Sequence, residues 1–104
     1  MKLTNEQLAM VDTRVELPDG NFVVLLDVAG RNDMVVQEHS ENVFCVRQDN
    51  EVIWKVSPSV SPHGKDSFVS IELTKEGIRA DRFFGGEFLI DISTGVAREV
   101  GWHK

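Results

Sequence analysis

The chain has 104 residues, 41% of them apolar and 27% charged, enough to bury one core and too ordinary a mixture for wholesale disorder. Seventeen acidic against eleven basic residues leave a net charge of −6 with no lysine or arginine run to offset it. That balance disfavours direct binding to a phosphate backbone and favours fast encounter with a basic partner. The single cysteine, Cys45, excludes an internal disulfide and a multi-cysteine metal site.

The opening residues, Met1 to Gln7, lack the apolar centre of a secretion signal, and the longest apolar run, Phe22 to Leu26, is far below the ~20 residues that span a bilayer. A cytoplasmic location without membrane contact is expected. Thr4 with Gln7 three positions on is a capping-box pattern, and Leu3, Leu8 and Val11 are the apolar residues of a short N-terminal helix. Residues 11–17 alternate apolar and polar, the period of a half-buried strand. Pro18-Asp19-Gly20-Asn21 is turn chemistry, and the stretch after it, residues 22–27, apolar up to its closing Asp27, reads as a buried central strand. A loop over residues 29–33 leads to a further short strand at Met34-Val35-Val36, followed by a polar connection at His39-Ser40-Glu41-Asn42.

Residues 43–47 and 52–56 flank Gln48-Asp49-Asn50-Glu51, a hairpin signature. Residues 57–67 hold two prolines and a glycine and form the longest loop. Loops carry function more often than scaffold strands, so this one is the first place to look for a site. Strands are then expected at residues 68–73, 78–83, 87–92 and 96–100, separated by glycine-bearing turns. Turn signals every eight to twelve residues specify a mainly β fold. The expectation is one domain over residues 1–104, an antiparallel meander built as a small barrel, a half-propeller or blade-like sheets, with the short helix at its start. The segments FCVRQDNEVIWKV and FLIDISTGVAREV echo each other as strand, polar turn, strand, which suggests propeller-blade-like units.

Reactive constellations are not evident. His39, His63 and His103 are scattered without metal-ligand spacing and read as surface or loop residues. Cys45 lies inside a strand between Phe44 and Val46, the position of a packed thiol. Asp81 and Asp91 fall on neighbouring strands, but a catalytic carboxylate pair would need both on one face, which the sequence does not settle. Ser70 and Ser93 have no nucleophile elbow, and Gly85-Gly86 is followed by no phosphate-binding helix. No catalytic residue, metal or cofactor is therefore expected. Trp54 shares a strand face with Val52 and Val56 and reads as core. Phe83 and Phe84 are adjacent, so they cannot both point to one face of a strand; one of them is free to anchor an interface.

The stretches ENVFCVRQDNEVIWKV, GKDSFVSIEL and GIRADRFFGGEFLIDISTG together resemble small bacterial immunity proteins of contact-dependent growth inhibition systems. The shared order is Asn-Val-Phe, a polar hairpin, Ile-Trp-x-Val, Asp-x-Phe-Val-x-Ile and a closing aliphatic-Asp-x-x-Thr-Gly. The likeness covers residues 42–95, VVLLDV before it also fits, and Asn50 stands where glycine is commoner. The resemblance implies hairpins like quinoprotein propeller blades. It also implies a non-enzymatic protein that neutralises a basic toxin domain, a nuclease and a ribonuclease before a DNase, by occluding its active site in a one-to-one complex. The residues expected at that interface from their anticipated exposure are Asp66, Glu72, Asp81 and Glu87, with Phe84 as aromatic anchor; the motif residues Trp54, Phe68 and Asp91 look structural. The alternatives are an enzyme using clustered carboxylates, and an interaction module or homodimer formed through an exposed sheet edge.

Overall fold

The structure is a computed structural model that describes residues 1–28, 30–31, 33–57 and 66–102. The described residues form two short helices and eight strands in the order α1 (Asn5–Ala9), β1 (Val11–Glu16), β2 (Phe22–Leu26), α2 (Val36–Ser40), β3 (Val43–Val46), β4 (Val52–Lys55), β5 (Phe68–Thr74), β6 (Gly77–Arg82), β7 (Gly86–Ile90) and β8 (Ala97–Trp102). Strands β1 to β4 form one antiparallel sheet in sequence order and β5 to β8 a second. The protein is thus mainly β, two four-stranded meanders in succession. The echoing segments are the closing hairpins of the two sheets, β3–β4 and β7–β8.

The layers explain the burial pattern. The first sheet is covered on both faces. Val23, Leu25, Val43, Cys45, Trp54 and Val56 pack into the main core against Phe68, Ile71, Ile78, Ala80, Ile90 and Ala97 of the second sheet. Val24, Leu26, Phe44 and Val46 turn the other way and join Leu3 in a second core that Leu8 and Met10 of the N-terminal segment help to cover. Two covered faces require apolar residues at consecutive positions, which is why β2 and β3 read as unbroken apolar runs. Among the described residues the second sheet is covered on one face only; β6 alternates accordingly, and β5 does so after a β-bulge between Phe68 and Ser70.

The N-terminal helix forms as the capping box specifies: Thr4 Oγ1 accepts from the Gln7 N–H at 3.0 Å, and Gln7 Oε1 accepts from the Thr4 N–H at 2.8 Å. Residues 1–3 then lie along the edge of β4, where the Val52 N–H donates to Met1 O at 2.7 Å and the Leu3 N–H to Asn50 O at 3.1 Å. Asn50 sits in the left-handed region at φ 69°, a conformation asparagine tolerates better than most residues.

Contacts at several points join the sheets. Trp54, 7% exposed, donates from Nε1 to Ile92 O at 2.9 Å. Gly95 lies flat against the Trp54 ring at φ +80°, so close that an added Cβ would stand 2.6 Å from it. Asn42, 1% exposed, donates from Nδ2 to Leu26 O and to Phe68 O at 2.8 Å each, while its Oδ1 accepts from the Phe68 N–H at 2.9 Å. Beside this joint the Arg82 guanidinium, on a residue 3% exposed, lies 4.7 Å from the Phe68 ring centre and 4.9 Å from that of Phe88. Burial lowers the pKa of Arg82, and the charges of Asp66 and Glu99 oppose that shift.

Two local expectations are corrected. Met34-Val35-Val36 is no strand: Val35 is the extended N-cap of α2 and Val36 its first residue. Both valines are exposed, at 61% and 50%, so their β-branching marks no sheet neighbour. The polar connection His39 to Asn42 is buried throughout, and His39, expected at the surface or in a loop, is 6% exposed within α2. Its groups serve the joint: the Asp66 N–H donates to Ser40 Oγ at 3.3 Å, and Glu41 pairs with Lys55 Nζ at 2.8 Å. His63, His103 and most of the long loop, residues 58–65, lie outside the described residues.

Candidate partner-binding face

The open side of the second sheet is assembled by register. Ser70 pairs with Asp81 and Glu72 with Arg79 across β5–β6. Asp81 then pairs with Glu87 and Arg79 with Leu89 across β6–β7, and Leu89 pairs with Arg98 on β8. Period-two alternation puts all of these on the face that no other element covers among the described residues. Three of the five expected interface residues, Glu72, Asp81 and Glu87, therefore stand on one surface.

Their charges are partly answered within the sheet. Asp81 and Glu87 sit directly opposite one another, a pairing of like charges that is unfavourable by itself. Ser70 Oγ donates to Asp81 Oδ2 at 2.9 Å, and the Arg79 guanidinium pairs with Glu87. Arg79, which sequence reasoning did not single out, faces Glu72 across one strand pair and reaches Glu87 across the next. Three carboxylates against Arg79 and Arg98 leave the face slightly acidic. The Arg79 side chain of this pair is 48% exposed and that of Glu87 17%, so the pair is only partly open to solvent.

At the end of this face the β6–β7 hairpin carries Phe83 and Phe84, 63% and 45% exposed. Their rings meet edge to face, 5.2 Å apart with an 82° interplanar angle. Both aromatics are thus outward, where only one was expected to be. The turn gives neither a sheet face to point into, and the rings satisfy each other.

Asp66 is placed differently from its anticipated exposure. It is 2% exposed, and its Oδ1 accepts from the Phe84 N–H at 3.1 Å. A carboxylate so enclosed offers no surface to a partner. It ties the hairpin tip to the start of β5 and holds Phe84 in place. This arrangement lies beyond sequence reasoning, because residues 66 and 84 meet only after β5 and β6 pair.

The remaining chemical candidates separate. Asp91 lies beyond the end of β7, next to Leu89 and Arg98; its Oδ1 accepts from the Ser93 N–H at 2.7 Å and the Thr94 N–H at 3.2 Å, a turn brace. Cys45 is 2% exposed, and burial, with a smaller contribution from Asp19, pushes its thiol up to about 11. Among the described residues no cluster of three or more His, Cys, Asp or Glu could hold a metal ion, and no helix is long and apolar enough to cross a membrane.

Over residues 1–102 the chain matches the family described as a domain of unknown function, DUF7957, and it belongs to that family. No curated protein and no solved structure matches it.

Proposed function

We propose that this protein neutralises a basic toxin domain, as an immunity protein of a contact-dependent growth inhibition system does, by docking the open face of its second sheet on the toxin. The observation that carries this reading is the exposed Phe83–Phe84 pair at the hairpin tip, braced by buried Asp66 and bordered by Glu72, Asp81 and Glu87. An aromatic anchor beside charged residues is the anatomy of an interface hot spot. The resemblance over residues 42–95 supplies the class of partner, and the net charge of −6 suits a partner that must itself bind phosphate.

In this reading Phe84 enters a pocket on the toxin. The carboxylates meet lysines or arginines that otherwise hold nucleic acid, and the bulk of the sheet blocks the substrate cleft. The partner's gene is sought directly upstream of this one. Co-expression of that toxin domain with this protein should give a one-to-one complex and abolish nuclease activity. A nuclease that stays free and fully active with this protein in excess would end the proposal.

A further inference from the structure

The hairpin that carries the exposed aromatics is held at successive donors of its turn. Residues 82–85 form that turn, with Phe83 and Phe84 at its centre. The Phe83 N–H donates to Ser67 O at 2.9 Å, the Phe84 N–H to Asp66 Oδ1 at 3.1 Å and the Gly85 N–H to Arg82 O at 3.0 Å. The Asp66 N–H in turn donates to Ser40 Oγ at 3.3 Å, which ties the brace to α2. Each of the three N–H groups is accounted for, so the turn has few other shapes open to it.

Arg82 stands at the root of this turn, in a position where stability alone would place an apolar side chain. Ile78, Ala80 and Arg82 alternate along β6 towards the interior, the first two fully enclosed and Arg82 nearly so. The Arg82 guanidinium lies 4.7 Å from the ring centre of Phe68 on β5 and 4.9 Å from that of Phe88 on β7. One side chain on the middle strand therefore grips both neighbouring strands at their tip end. The two rings meet edge to face with centres 5.5 Å apart, and Asp66 and Glu99 supply opposing charge. Burying a guanidinium is costly, and an apolar residue of similar volume often serves stability as well or better. What the charge adds is one fixed arrangement. Phenylalanines gain by turning inward onto a core. Here the end of the core is closed by a charged group held between two rings, and Phe83 and Phe84 stay outward.

We infer that Arg82 is a positioning residue for the Phe83–Phe84 pair: gripped between the Phe68 and Phe88 rings, it fixes the turn so that a partner meets both aromatics already in their bound shape. This rests on the proposed docking of the hairpin tip for the partner, but the positioning can be read in the protein alone.

Arg82→Lys keeps the charge that faces Asp66 and Glu99 and removes the planar group that stacks on the rings. In the full-length ¹⁵N-labelled protein, amide exchange at Phe84 and Gly85 should quicken about fivefold or more beyond any change at Ile78 and Ala80. Phe88→Leu takes away one ring and leaves Arg82. It should act in the same way, and it covers the case of a lysine variant that does not fold. Ile90→Val, a core truncation opposite Ile78, should quicken exchange at Ile78 and Ala80 at least as much as at Phe84. Towards the upstream toxin domain Arg82→Lys should bind about threefold or more weakly than the parent, and Phe84→Ala should lose less in that background than in the parent. Exchange that changes evenly along β6 in the Arg82 and Phe88 variants, or a toxin affinity equal to the parent's, overturns the assignment. A toxin that ignores the parent protein removes the proposed function, and exchange at Phe84 and Gly85 still decides what Arg82 does.

Discussion

Asn42 ties the first sheet to Phe68 of the second through one side chain, beside the Trp54–Ile92 contact, and substitution there tests this part of the joint directly. Asn42→Ala leaves two buried carbonyls and one buried N–H without the partners they have in the native protein. The expected loss is at least about 2 kcal/mol in urea unfolding, with the slope of the transition unchanged. Gly95→Ala should be comparably severe, about 2–3 kcal/mol, because the new methyl meets the Trp54 ring at 2.6 Å in a left-handed backbone conformation. Cys45 makes stability depend on pH. Burial raises its pKa from 9.0 to about 11 in the folded protein, so its contribution is complete below pH 9 and is lost as pH rises towards 11. Unfolding free energies measured from pH 8 to pH 10.5 should fall more steeply for the parent than for Cys45→Ala, and parallel curves would contradict this. At this scale the sequence reading finds the residues whose job is local: Thr4 and Gln7, Asp91, and the packed Cys45 and Trp54. It misses Asn42, Arg82 and the true place of Asp66, whose partners lie 16 and 26, 6 and 14, and 18 and 26 positions away along the chain. A buried polar group reads as a loop residue until the elements that satisfy it are assembled.

The strands are legible because each sheet is a sequence-local meander, so every strand pairs with its chain neighbour and every turn leaves its glycine, asparagine or aspartate in the sequence. Helix α2 is illegible for the opposite reason. It has five residues, no side-chain cap and two exposed valines, so neither period nor capping announces it. The β6–β7 hairpin shows how an element serves the candidate site. Its phenylalanines pack on each other and contribute little to the core, so Phe84→Ala should leave the unfolding midpoint within about 0.5 kcal/mol of the parent's stability. Asp66→Ala should act on the same hairpin from beneath: amide exchange at Phe84 should quicken, while the amides of Ile78 and Ala80 in mid-strand keep their protection.

Across the whole molecule, charge is segregated and so, in the proposed account, is function. The acidic first half steers a basic partner, and the hairpin tip of the second sheet fixes it. Nothing in composition alone divides these tasks. The division appears once register puts Glu72, Asp81 and Glu87 on one face of the second sheet, while residues 1–57, with ten acidic and five basic side chains, hold most of the acidic surplus. Isothermal titration of the upstream toxin domain into this protein and into its Phe84→Ala variant tests the central claim most directly. The account predicts one-to-one binding well below micromolar dissociation constants for the parent and a loss of about tenfold or more for the variant, whose fold is intact. No heat of binding at micromolar concentrations, or equal affinity for both proteins, would contradict it.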